Sequence, residues 1–222
     1  MCFSASADFV ASAVIGSVGL LTLREVKHPR ELLFASLPCL FALHQFTEGL
    51  VWLGLDGTVS PSVTHNAGAA YVLFAQGLLP FLMPLSVLLL EPTRHKQRQM
   101  LGFTIGGGAL MIYLLWGLIA YPVNISVQQN SIVYTNAITT TTAVAVLYVI
   151  ATCGSLFFSG FRDLAILAWA NLIGLLVVME VRRYAFTSIW CAYAAVVSVI
   201  IYAFFRRSRN FRITMYDLLP VL

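Results

Sequence analysis

A chain of 222 residues that is 59% hydrophobic and only 10% charged, with a mean hydropathy of +0.86, is far too apolar for a soluble domain, where about a quarter of residues carry charge. The net charge of +4 does not indicate nucleic acid, because the basic residues sit in short clusters between apolar runs. A membrane protein of about seven spans, each needing ~20 apolar residues, fits this length and leaves no room for a soluble domain.

The first apolar run, Phe9 to Leu23, ends at the basic turn Arg24–Arg30, where Pro29 stops the helix. The N-terminus has no positive n-region, so the first helix is expected to be retained. The second run, Leu32 to Leu55, contains Pro38 and the stretch His44-Gln45-Phe46-Thr47-Glu48-Gly49-Leu50-Val51-Trp52. A loop without Lys or Arg, Asp56 to Asn66, leads to the third run, Ala67 to Leu90, in which Pro80 and Pro84 predict a kink. After the basic loop Glu91–Arg98 comes the fourth run, Met100 to Tyr121. Its Gly102, Gly106, Gly107 and Gly108 predict close internal packing. The segment Pro122 to Thr140 reads as a loop; it lacks Lys and Arg and carries the sequon Asn124-Ile125-Ser126. The fifth, sixth and seventh runs are Thr141 to Ser159, Leu164 to Val181 and Ser188 to Phe205. The expectation is therefore an all-α seven-helix transmembrane domain over 1–205, followed by a tail over 206–222 that is basic and then apolar.

Charge orients this bundle. Alternate connections place eleven basic residues on one side (three after the first helix, three after the third, Arg162, and four in the tail) and two, Arg182 and Arg183, on the other. The positive-inside rule then puts the N-terminus outside and the tail in the cytoplasm.

In this orientation the polar residues of the second run fall in its outer half. Gln45, Glu48 and Trp52 follow i, i+3, i+7 spacing and His44 lies four before Glu48, so all four share one helix face. A carboxylate within a span costs at least ~2.5 kcal/mol on insertion scales and normally faces a bundle interior or an aqueous cavity. Topology brings Cys2, Ser4, Glu180 and Cys191 to the same outer layer. Gln45, Glu48, Trp52, Ser4 and Glu180 are accordingly the candidate ligand-binding residues. His44, Glu48, Cys2 and Cys191 are a candidate transition-metal set. Cys2 and Cys191 stand as a disulfide on the oxidising side, as thiolate ligands, or as packed thiols. Trp52, Trp116 and Trp190 read as an interfacial belt and Trp169 as core, while His28, His65 and His95 fall in loops.

Several chemistries are excluded by spacing. Lys27 and Lys96 lie in cytoplasmic loops, away from any Schiff-base position, the glycine run lacks the Lys-Ser/Thr end of a phosphate loop, and there is no Gly-x-Ser-x-Gly elbow. Whether the protein is an enzyme stays open. The readings are a binding or sensing protein for a small ligand or ion, a metal or redox enzyme, a small transporter or proton pathway, and a subunit of a homo- or hetero-oligomer in the lipid bilayer.

Met1-Cys2-Phe3-Ser4-Ala5, Gln45-x-x-Glu48-Gly49-Leu50-Val51-Trp52, Pro80 and Pro84 with Glu91, and Ser188-Ile189-Trp190-Cys191-Ala192 together resemble a family of uncharacterised bacterial multi-pass membrane proteins that begin Met-Cys-Phe-Ser. That family more often has glutamine at the position of His44. The resemblance thus implies greater weight on Gln45, Glu48, Trp52, Cys2 and Cys191, and implies no substrate.

Overall fold

The structure is a computed structural model. It describes residues 4–128, 131–139, 141–182 and 186–207, with backbone alone over 178–182 and 186–192. Seven helices run through the described residues: α1 (Ala5–Arg24), α2 (Leu32–Leu55), α3 (Pro61–Leu90), α4 (Arg94–Ala120), α5 (Thr142–Phe157), α6 (Arg162–Arg182) and α7 (Phe186–Arg207). Of these, α1, α3 and α4 are long and apolar enough to cross a membrane. The 24 residues of α2 match them in length, but His44, Gln45 and Glu48 dilute its apolar character.

The helix starts follow local chemistry. Ser4 caps α1 by accepting the Ala7 N–H at 3.3 Å, Ser60 caps α3 with Pro61 in its first turn, and Thr141 caps α5. Gly57, at φ 75°, takes the left-handed conformation that turns the chain from α2 into α3. Two starts lie earlier than the hydropathy of the sequence indicates, because polar first turns belong to the helices: α3 opens at Pro61 and α4 at Arg94, which puts His65 and His95 on helices instead of in loops.

In α3 the turn before the prolines widens into a π-helical segment, Leu73–Leu78, and the helix continues through Pro80 and Pro84 to Leu90. The Leu79 N–H bonds the Phe74 carbonyl five residues back. A proline ring cannot tolerate a regular i−4 carbonyl, so a wider turn ahead of Pro80 relieves the conflict without breaking the helix.

The segment between α4 and α5 is not a plain loop. It forms an antiparallel hairpin, β1 (Asn124–Gln128) with β2 (Ser131–Thr135), in register Ile125↔Tyr134 and Val127↔Ile132. The β-branched alternation of Ile125, Val127 and Ile132 favours strands, and Ser131 to Tyr134 are buried. Asn136 anchors the exit, donating to the Tyr121 carbonyl at 3.0 Å and accepting the Ile138 N–H at 3.0 Å.

Two main apolar cores and a small third cluster of Leu110, Leu114 and Val144 form among the described residues. The larger, including Phe34, Leu37, Met83, Leu90, Leu156, Leu164, Phe204 and Phe205, fills the end of the bundle that carries the basic turns. The smaller joins Val51, Trp52, Ala67, Tyr71, Val72, Ile132 and Tyr134 at the opposite end, beneath the hairpin. Trp52 is therefore core and not belt, whereas Trp169 is 57% exposed against the edge of Phe157, the reverse of its expected placement; Trp116 is exposed as expected, and Trp190 lies among residues whose side chains are not described. Gly107 and Gly108 pack on Pro80 and Phe81, while Gly102 and Gly106 face open space.

Candidate functional site

Helices α1 and α2 run antiparallel and very close. Ser12 Oγ donates to the Ala42 carbonyl at 2.8 Å, and side chains added at Gly19 and Gly49 would meet Cys39 Sγ at 2.6 Å and Phe9 Cε1 at 2.7 Å. Small residues permit this approach, as in membrane helix pairs. The register sets Asp8 of α1 against Gln45 of α2, whose Nε2 donates to Asp8 Oδ1. Asp8 and Glu48 are fully buried, and Gln45 and His44 nearly so.

His44 is held by stacking. Its ring lies 3.9 Å from that of Tyr71 at 17°, and Tyr71 lies 4.4 Å from Tyr134 at 21°, so a continuous stack joins α2, α3 and β2. Phe74 adds a tilted contact at 5.1 Å from inside the π-helical turn. Among the described residues, His44 Nδ1 and Trp52 Nε1 are buried without a hydrogen-bond partner, a state that is uncommon unless a further group or water completes it.

At the basic end, buried acids are bonded differently. Glu31 Oε2 accepts the Lys27 N–H at 2.8 Å, and Glu91 Oε1 accepts the Gly160 N–H at 2.6 Å across to the α5–α6 turn. Glu25 pairs with Arg206 at 3.7 Å and Lys96 donates to the Phe158 carbonyl at 2.8 Å, so the helix ends are stapled together. Burial pushes the Glu91 carboxyl up, outweighing the Gly160 N–H and the Lys96 charge.

Among the expected site residues, the structure brings His44, Gln45 and Glu48 onto one buried face, with Trp52 buried one turn on. Ser4 is exposed and occupied as the α1 cap. Cys2 lies outside the described residues and the side chains of Glu180 and Cys191 are not described, so neither the cysteine pairing nor the four-residue metal set is visible; among the described residues no three His, Cys, Asp or Glu side chains are grouped to hold a metal. Asp8 is the residue that sequence reasoning overlooked. Its position in the first turn of α1 has the ordinary explanation of an acid at the positive helix end, and only the pairing with α2 gives it a role. Tyr71 and Tyr134 were equally hidden, one in an apolar run and the other in an apparent loop.

Two buried carboxyl groups, an amide and an imidazole thus lie on the facing helices α1 and α2, linked by the Gln45–Asp8 hydrogen bond. No curated protein and no solved structure matches the chain. A family model described as "Family of unknown function (DUF6629)" matches residues 1–215. With nearly its whole length covered, the chain belongs to this family.

Proposed function

We propose that the chain is a seven-span integral membrane protein, N-terminus outside, in a bacterial cytoplasmic membrane, and that its Asp8–Gln45–Glu48–His44 layer binds a small cation entering from the outer face. The observations that carry this reading are two fully buried carboxyl side chains on separate helices, Asp8 and Glu48, the Gln45–Asp8 hydrogen bond that joins those helices, and the His44 Nδ1, which has no hydrogen-bond partner among the described residues. Acids with ordinary desolvation penalties persist in such a place when something offsets the charge. The hairpin, through Tyr134 and Tyr71, covers the outer approach to His44.

Trp52 supplies the assay. Purified protein in nanodiscs is titrated with sodium, calcium and zinc in separate series, and the tryptophan emission is followed. A saturable change with one cation, absent in Glu48→Gln, is expected; no saturable change with any of them would refute cation binding. Orientation is tested separately by Thr58→Cys, expected to react with a membrane-impermeant maleimide added to intact cells.

The His44 Nδ1, without a partner among the described residues, also favours a second reading, a transition-metal or redox site in which Cys2 and Cys191 join His44 and Glu48. Stoichiometric metal in elemental analysis, lost in His44→Ala, would select it.

A further inference from the structure

At the basic end, where α3 gives way to α4, lies an open groove of about 310 Å³ lined by Leu88, Arg94, Gln97, Arg98 and Leu101. Gln97 is fixed by donating to the Glu91 carbonyl at 2.8 Å, and Lys96 is engaged with Phe158. Arg94 and Arg98, one helical turn apart and exposed, enter no ion pair among the described residues. No acid stands in the first turn of α4, although a helix start favours negative charge and is disfavoured by neighbouring cations. Topology alone explains a basic segment at this end, but not two guanidinium groups, unpaired among the described residues, flanking an open groove between Leu88 and Leu101.

We propose that this groove is a binding site for an anionic phospholipid. Arg94 and Arg98 take the phosphate, for which the guanidinium fork is suited, and an acyl chain leaves over Leu101. Below it Leu101, Ile105 and Ile112 are 47%, 65% and 66% exposed and fall on one stripe of α4, a track for hydrocarbon that a soluble phosphate would not use. Basic pockets between helices at the cytoplasmic surface have this preference in general. The inference rests on the membrane reading, not on the cation site.

Native mass spectrometry of delipidated protein with phosphatidylglycerol and phosphatidylcholine of identical acyl chains tests it. Phosphatidylglycerol is expected to be retained over phosphatidylcholine by a factor on the order of ten. The preference is expected to vanish in Arg94→Gln/Arg98→Gln and to persist in Arg162→Gln, which removes a charge from another turn at the same end. Equal retention of the two lipids, an unchanged preference in the double variant, or displacement of the lipid by inorganic phosphate would each overturn the proposal. If the double variant does not fold, Arg98→Gln alone is read by the same criterion. Wild-type protein that fails to enter micelles would overturn the membrane reading together with this one, whereas loss of the lipid preference alone overturns only this one.

Discussion

The Asp8–Gln45 contact permits a direct separation of structural from functional roles. Replacing Gln45 with leucine removes the amide that donates to a fully buried carboxyl group. A hydrogen bond to a charged partner contributes about 1.5–3 kcal/mol, and for a chain of this size each kcal/mol moves the melting temperature by about 2–4 °C. Gln45→Leu should therefore lower the midpoint by about 3–12 °C. Asp8→Leu strands the amide in turn and should cost about 1–3 kcal/mol. With both replaced, neither polar group is left stranded, and the double variant should recover most of the loss, a coupling of about 1–3 kcal/mol. Thermal unfolding in detergent, followed by circular dichroism, measures all four proteins. Costs that add to within about 0.5 kcal/mol would refute a coupled pair. The double variant then serves the functional question: a stable fold with no cation response places the pair in the site, while a stable fold with an intact response makes it a helix staple only.

Three further outcomes follow from the packing and the charges. Gly19→Val should destabilise by about 1–3 kcal/mol, because its Cβ meets Cys39 backbone nitrogen at 2.8 Å and backbone cannot yield as a side chain does; Gly102→Val, facing open space, should stay within about 0.5 kcal/mol, and equal midpoints for the two would contradict the close α1–α2 approach. Tyr134→Ala removes a ring stack with Tyr71 that contributes about 0.5–1.5 kcal/mol beyond area burial. Hydrogen exchange around Tyr71 should accelerate, and unchanged protection would show that the hairpin does not cover the site. Because the folded Glu91 carboxyl titrates above its ordinary value of 4.5, the stability linked to it is complete below about that pH and is lost as pH rises through the raised value. Glu91→Gln should lack that decline, and parallel pH profiles for variant and wild type would refute it.

Helix number and order were legible because each apolar run is long and bounded by a proline, a basic cluster or both, as at Arg24–Arg30 and Glu91–Arg98. Helix starts were less so: the polar first turns Pro61–Asn66 and Arg94–Gln99 look like loops by hydropathy, yet the Ser60 cap and the continuing backbone ladder make them helical. The hairpin was missed because its strands are only five residues each and its turn lies in a segment short of apolar runs. Half of the site was readable from α2, where His44, Gln45 and Glu48 break an apolar face. The other half was not, since periodicity within one helix says nothing about which residue of another helix faces it; Asp8 and Tyr71 become site residues only through tertiary register.

The manner in which buried acids are bonded distinguishes the two ends of the bundle. Glu31 and Glu91 sit at turns and helix termini, where backbone N–H groups are unspent; Glu31 accepts those of Lys27 and His28, and Glu91 that of Gly160. An acid used that way is a staple, and the fold supplies its donor at no further cost in burial. Glu48 lies inside α2, whose N–H groups are already committed to carbonyls one turn back, so only side chains from its own face or from other helices can reach it. The Asp8–Gln45 pair one turn away is likewise made between side chains. Two acids in that layer carry desolvation penalties of several kcal/mol each if ionised, penalties that backbone N–H groups offset in part at Glu31 and Glu91. If the layer were structural in the same sense as the basic end, removing its charge would weaken the fold and alter nothing else. The expected contrast is that Glu31→Gln lowers the unfolding midpoint and leaves the cation response intact, whereas Glu48→Gln leaves or raises the midpoint and abolishes the response; the opposite pattern would assign Glu48 to the scaffold.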